Sequence, residues 1–176
     1  VVGRIGTLDG YTAIPTDFLD RIYRLMAWDD GEGVGSSLTL AAVEINTQLT
    51  ITPATTANGR PAGVPFNITL NGNQTYGLYA QGGADLSGTT ITSSRSFAVY
   101  GGHSCGLVPS GSVEFCDLLV EQMQPTQAWG FEFVTLPFAG RTAGDVIRVY
   151  APIDGTTVHV NGALVATLNQ GAIYET

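Results

Sequence analysis

Ser37-Leu38-Thr39-Leu40-Ala41-Ala42-Val43-Glu44-Ile45 alternates in character at nearly every second residue. Successive side chains of an extended strand point to opposite faces, so this period of two is the pattern of a strand with one buried face. The same pattern runs through Arg21-Ile22-Tyr23-Arg24-Leu25-Met26-Ala27-Trp28, Leu49-Thr50-Ile51-Thr52, Phe66-Asn67-Ile68-Thr69-Leu70 and Val146-Ile147-Arg148-Val149-Tyr150. Gly, Asn, Asp or Pro separates these runs, and Val, Ile, Thr, Tyr and Phe fill them. Short strands at this spacing predict an all-β, antiparallel sandwich or barrel-like module with very little helix. One helix is expected, from Cys116 to Met123, where Leu118, Leu119, Val120 and Met123 could share a face before Pro125 stops it.

The chain also resembles itself. Ile14-Pro15-Thr16 through Leu25 matches Gln124-Pro125-Thr126 through Thr135, with Pro15 and Pro125 at an offset of 110. Ala42 to Ile51 matches Ala151 to Val160, and Leu70-Asn71-Gly72 through Tyr76 matches Leu168-Asn169-Gln170 through Tyr174. Each copy reads as a strand after Pro, a β-hairpin turning at Asn46 or Gly155, and a strand entering a turn at Asn71-Gly72 or Asn169-Gln170-Gly171. The expected organisation is a first β unit at 1–102, a cysteine-containing connection at 103–123 and a second, incomplete unit at 124–176, possible too as one compact domain. In the first copy a further strand follows, Ser96-Phe97-Ala98-Val99-Tyr100-Gly101, and Val1-Val2-Gly3 looks like the tail of another such strand. Both ends therefore fall inside units, as expected of an excerpt from a longer array or of a chain whose neighbour supplies strands.

Composition narrows the function. Charged residues are 12% of the chain, and 7 basic against 15 acidic residues leave a net charge of −8. Nucleic-acid binding requires a basic footprint and anionic lipid repels such a surface, so neither is an expected partner. There is no lysine. That removes the P-loop amine, Schiff-base catalysis and Lys–Asn isopeptide staples. No apolar run approaches a membrane span and no signal peptide is present, while a start at Val1 without Met suits a processed chain or a piece of one.

Cys105 and Cys116 are eleven positions apart. An even count in an acidic, Lys-free chain favours a disulfide and an extracellular or cell-surface location, with buried free thiols as the alternative. Asp29, Asp30 and Glu32 form a Gly-rich acidic cluster that could hold Ca²⁺, although the spacing is not that of an EF-hand and a solvated loop tip explains it equally well. Asn67-Ile68-Thr69 and Asn73-Gln74-Thr75 fit the glycosylation pattern, with Asn73 the better acceptor. Otherwise no metal or cofactor is called for.

Catalysis would have to begin at His103, His159 or a carboxylate pair. Ser104 and Cys105 follow His103, but neighbours on a strand face opposite ways and form no nucleophile–base pair. His159 sits between Val158 and Val160 in an alternating strand, on the other face from both. Asp117 and Glu121 would share a helix face, with Glu114 and Glu132 elsewhere and Trp28, Trp129, Tyr11 and Tyr23 available to stack on a sugar; this is the glycosidase-like alternative.

Several stretches resemble the IgGFc-binding protein N-terminal domain family: Asp9-Gly10-Tyr11-Thr12-Ala13-Ile14-Pro15, Asp85-Leu86-Ser87-Gly88-Thr89, Val99 through Cys105, Phe115-Cys116-Asp117 through Met123, Trp129-Gly130 and Asp145 through Val149. The resemblance spans almost the whole chain, departing at Phe18-Leu19-Asp20, where the family tends to a Leu-Gly pair. It implies an extracellular β-rich module of mucus-type, adhesive or surface proteins, and its paired cysteines match Cys105 and Cys116. The antibody binding behind the family's name has no motif that transfers residue by residue. The expected function is therefore non-catalytic: adhesion, matrix or filament assembly through strand edges, with other copies or neighbouring modules as partners. Recognition of a glycoprotein or glycan is the second reading.

Overall fold

The computed structural model describes residues 2–4, 7–29, 33–109, 113–137, 139–140 and 145–176. The chain divides into two compact units, Val1–Trp129 and Gly130–Thr176. The fold is all-β and antiparallel, sandwich- or barrel-like, and its described helix is limited to two short 3-10 turns.

In the first unit a hairpin of β1 (Val2–Arg4) and β2 (Thr7–Asp9) is followed by a 3-10 turn at Thr16–Phe18 and β3 (Asp20–Arg24). Then come β4 (Ser37–Ala42), β5 (Thr47–Thr52), β6 (Phe66–Leu70), β7 (Thr75–Tyr79), the 17-residue β8 (Thr90–Gly106) and β9 (Asp117–Gln122). β8 organises the rest. Its first half pairs with β3 and β5, and its second half with β4 and β9.

The expected hairpin at Asn46 is not there. β4 and β5 do not pair with each other; both run antiparallel to β8, Ala42 opposite Phe97 and Leu49 opposite Ser93. They are one long strand interrupted at residues 43–46. β6 and β7 return beside them in the same broken fashion, β6 on β5 and β7 on β4. Asn46 does adopt the left-handed backbone (φ 59°), as the Asn residue suggested, but the long partner strand keeps the chain on course.

Alternation becomes burial. Leu38, Leu40, Ala42, Leu49 and Ile51 are buried while their neighbours Thr39, Ala41, Gln48 and Thr50 are not. On β8, Ile91, Phe97 and Val99 enter the same core, and the Phe97 ring meets Tyr23 edge-on at 4.9 Å between centroids. The segment Asp85-Leu86-Ser87-Gly88-Thr89 ties this core to its loops. Leu86 is fully buried and its N–H donates to the buried Ser36 Oγ at 2.7 Å, while Ala27 N–H donates to Ser87 Oγ at 2.7 Å.

The anticipated helix at Cys116–Met123 is instead strand β9, paired with β8 from Tyr100–Gln122 to Gly106–Asp117. Leu118, Leu119 and Val120 are each half-buried, so both faces of β9 carry apolar side chains and the run imitates a helix face in sequence. β8 approaches β9 closely because it carries glycine there: a Cβ on Gly102 would stand 2.5 Å from the Leu119 carbonyl oxygen.

The second unit repeats the plan. A 3-10 turn at Thr126–Ala128 precedes it with the same geometry as Thr16–Phe18, each entered from an extended Pro. β10 (Arg148–Tyr150) pairs with β13 (Ile173–Glu175) as β4 pairs with β7, and β11 (Thr156–Val160) pairs with β12 (Ala163–Leu168) as β5 pairs with β6. The repeat extends to single hydrogen bonds. Ala42 N–H donates to Gln74 O at 3.0 Å and Ala151 N–H to Ala172 O at 2.9 Å. Thr47 Oγ1 donates to Glu44 O at 2.8 Å and Thr156 Oγ1 to Ile153 O at 2.7 Å. Asn46 and Gly155, and Asn73 and Gly171, share positive φ. Here too no hairpin forms at Gly155 between β10 and β11.

Gly102→Ala is expected to destabilise the chain by about 1–3 kcal/mol, the usual cost of forcing a carbon into a filled site. The midpoint of urea unfolding measures it; an unchanged midpoint would contradict the close approach of β8 and β9.

Candidate functional site

Where β8 meets β9 the sequence motifs converge. Cys105, near the end of β8, is bonded to Cys116, one residue before β9, with the Cα atoms 4.9 Å apart. The disulfide thus closes the loop between two paired strands. A short loop closed this way contributes about 2–3 kcal/mol by restricting the unfolded chain. No described cysteine is free.

His103 lies on β8 and is buried. Cys105 N–H donates to its Nδ1 at 3.1 Å, which leaves the proton on Nε2, 2.6 Å from the Val34 carbonyl oxygen. Both ring nitrogens are engaged with backbone, so the ring is a structural strut. Ser104 is exposed on the opposite side of the strand. Cys105, being oxidised, is no nucleophile.

The N-terminal segment is laced to β9 by side chains. Asp9 Oδ2 accepts from Val120 N–H at 2.6 Å, and Gln122, itself buried, accepts from Ile14 N–H through Oε1 at 2.8 Å. Sequence reasoning passed over both residues. Their partners lie more than a hundred positions away, and the one available signal was their place inside family motifs. Asp117 and Glu121 lie on a strand, not a helix. Four residues along a strand separates them by roughly 13 Å, too far for a two-carboxylate site. Partial burial pushes the Glu121 carboxyl above its ordinary range; the Gln122 backbone N–H pulls it back and the Asp9 charge adds to the rise.

The sugar-stacking candidates are dispersed. Tyr23 is fully buried on Phe97, and Trp28 is buried with Nε1 donating to Leu107 O at 2.8 Å. Trp129 is half-buried over Gln124. Tyr11 meets Tyr100 edge-on at 5.4 Å, both partly exposed. Glu114 and Glu132 are exposed. A shallow hollow beside Tyr100 is lined by Ile14, Leu19, Val43, Thr75 and Ala98 among others, and a second by Gln48–Thr50 and 67–69. Neither contains a carboxylate, a histidine or a cysteine.

His159 is exposed on β11, next to buried Val158. Asn73 is exposed at its turn, while Asn67 on β6 accepts from Thr50 Oγ1 at 2.8 Å. Of the acidic cluster, Asp29 is exposed, and Asp30 and Glu32 lie outside the described residues. Among the described residues no three His, Cys, Asp or Glu side chains gather as metal ligands, and no helix is long and apolar enough to cross a membrane.

Fold and site together define a class: a disulfide-clasped, all-β repeat module whose distinguishing groups are spent on backbone. Residues 9–176 match the family described as IgGFc binding protein, and the chain belongs to that family. It is similar to the IgGFc-binding protein of Homo sapiens, 34% identical over 113 residues, which is 62% of this chain and 2% of that protein. No solved structure matches.

Two outcomes follow. Reduction is expected to add two hydrogens to the intact mass and to lower stability by about 2–3 kcal/mol; a chain with the same unfolding midpoint after reduction would contradict the clasp. Because the folded-state pKa of Glu121 is raised, its contribution favours folding at low pH and is lost as pH rises through the raised value. Glu121→Gln should therefore raise the thermal midpoint at pH 7, with the difference shrinking towards about pH 4.

Proposed function

We propose that this chain is a non-catalytic, extracellular structural module that serves adhesion, matrix or filament assembly, its units joined through strand pairing. The observation that carries the reading is β8. It is a 17-residue strand at the centre of the first unit that pairs with four others, β9 among them. Strand edges of this kind would hold successive units in an array, as in repeat proteins, where each unit contacts its neighbours.

The disulfide supports an oxidising, extracellular setting. The absence of a nucleophile–base pair or two-acid cleft among the described residues supports a binding rather than a chemical role. A second reading is recognition of a glycoprotein or glycan. The hollow beside the Tyr11–Tyr100 pair favours it, since exposed aromatic edges next to polar groups suit such ligands. The human relative's name speaks of binding IgG Fc, and this reading extends binding, without that specificity, to the present chain.

Light scattering over a concentration series tests the assembly reading. The expected result is a mass that rises with concentration. A chain that remains strictly monomeric at the highest concentration overturns assembly, and a specific hit in a glycan array would then favour recognition.

A further inference from the structure

The internal repeat offers a control for the turn that joins β6 to β7. Asn73 and Gly171 occupy the same place in the two copies, with φ of 66° and 84°. Asn73 N–H donates to Ala42 O at 2.9 Å, and Gly171 N–H donates to Ala151 O at 2.9 Å. The next residue matches too: Gln74 N–H donates to Asn71 O and Ala172 N–H to Asn169 O, each at 3.0 Å. The backbone is therefore served equally well by glycine, which adopts this left-handed conformation without the cost that a Cβ brings.

The Asn73 side chain gives nothing back to the fold. It is exposed, and among the described residues no hydrogen bond engages its amide. Other asparagines differ. Asn71 Oδ1 accepts from Asn46 N–H at 3.2 Å, Asn58 Oδ1 from Tyr79 N–H at 2.7 Å and Asn67 Oδ1 from Thr50 Oγ1 at 2.8 Å. Asn73 opens the run Asn73-Gln74-Thr75, whose Thr75 is exposed on β7, whereas the second copy reads Gly171-Ala172-Ile173. β6 and β7 are edge strands of their sheet, and the turn between them carries Asn73 into solvent.

We propose that Asn73 is an N-glycosylation site, with Thr75 as the hydroxyl residue that the acceptor pattern requires. This rests on the extracellular reading, since the reaction takes place on chains entering a secretory pathway. The donor is a lipid-linked oligosaccharide pyrophosphate, and the catalyst is a membrane-bound oligosaccharide transferase. Asn73 Nδ2 bonds to the anomeric carbon of the first sugar and gives up one proton. The bond from that carbon to the pyrophosphate oxygen breaks, and the lipid pyrophosphate leaves with the electron pair. The sugar then stands beside Val43 and Ile45, which are 44% and 71% exposed on the segment bonded to this turn, and covers that apolar surface with hydroxyls. Asn67 is the lesser acceptor, because Thr50 holds its side chain on the strand.

The test secretes the full chain from cultured eukaryotic cells behind a cleavable signal peptide. A glycan is expected that a peptide-N-glycosidase releases, leaving a carboxylate at position 73 that peptide mass spectrometry reads after digestion in heavy-oxygen water. Asn73→Gln and Thr75→Ala should each remove the glycan, and Thr75→Ser should keep it. In the periplasm of a bacterial host that lacks the transferase, Asn73→Gly should leave the urea midpoint unchanged or raised. A secreted, disulfide-bonded chain with no glycan, or with one at Asn67 alone, overturns the proposal and leaves the extracellular reading standing. A midpoint lowered by Asn73→Gly also overturns it, because the amide would then serve the turn. A glycosylated chain whose two cysteines still react with a thiol reagent keeps the acceptor and removes the disulfide from which the extracellular reading was drawn.

Discussion

The pairing of β8 with four strands is the constraint from which the rest of the first unit follows. A 17-residue strand is about three times the usual length, and it must satisfy backbone groups on both sides along its whole run. β3 and β5 do so for one half, β4 and β9 for the other. That requirement explains why residues 43–46 do not reverse the chain: β4 and β5 must both stay beside the same partner. It also explains the Gly101-Gly102 pair, since side chains there would meet the Met26 and Leu119 carbonyl oxygens.

The site inherits its character from this arrangement. His103, Cys105, Gln122 and Asp9 are residue types that could do chemistry, yet each is committed to a backbone group or a sulfur bond at the β8–β9 seam. A buried imidazole with both nitrogens occupied is held for geometry rather than proton transfer. Chemical capacity has been exchanged for rigidity at this seam.

How much of this could be read in the sequence depends on the range of the interaction. Leu38, Leu40, Leu49 and Ile51 announce their buried face by spacing alone, and the internal repeat survives down to the paired hydrogen bonds of Ala42 and Ala151. The cystine was legible from two residues and their setting. What misled were local signals overruled by distant ones. Asn46 looks like a hairpin turn, and Leu118-Leu119-Val120 like part of a helix, because β8 lies elsewhere in the chain. Asp9 and Gln122 had no local sign, their partners lying 111 and 108 positions away.

The placement of the cystine has a mechanical consequence. A pull on the two ends of the chain reaches the loop after β8 through Cys105 and leaves it through Cys116, so the force crosses one sulfur bridge. An open loop would yield about 3.3–3.6 Å for each residue paid out. With the bridge intact that slack is withheld, and the antiparallel ladder beside it is loaded at once. Tension is thereby carried across the β8–β9 seam without the loop lengthening.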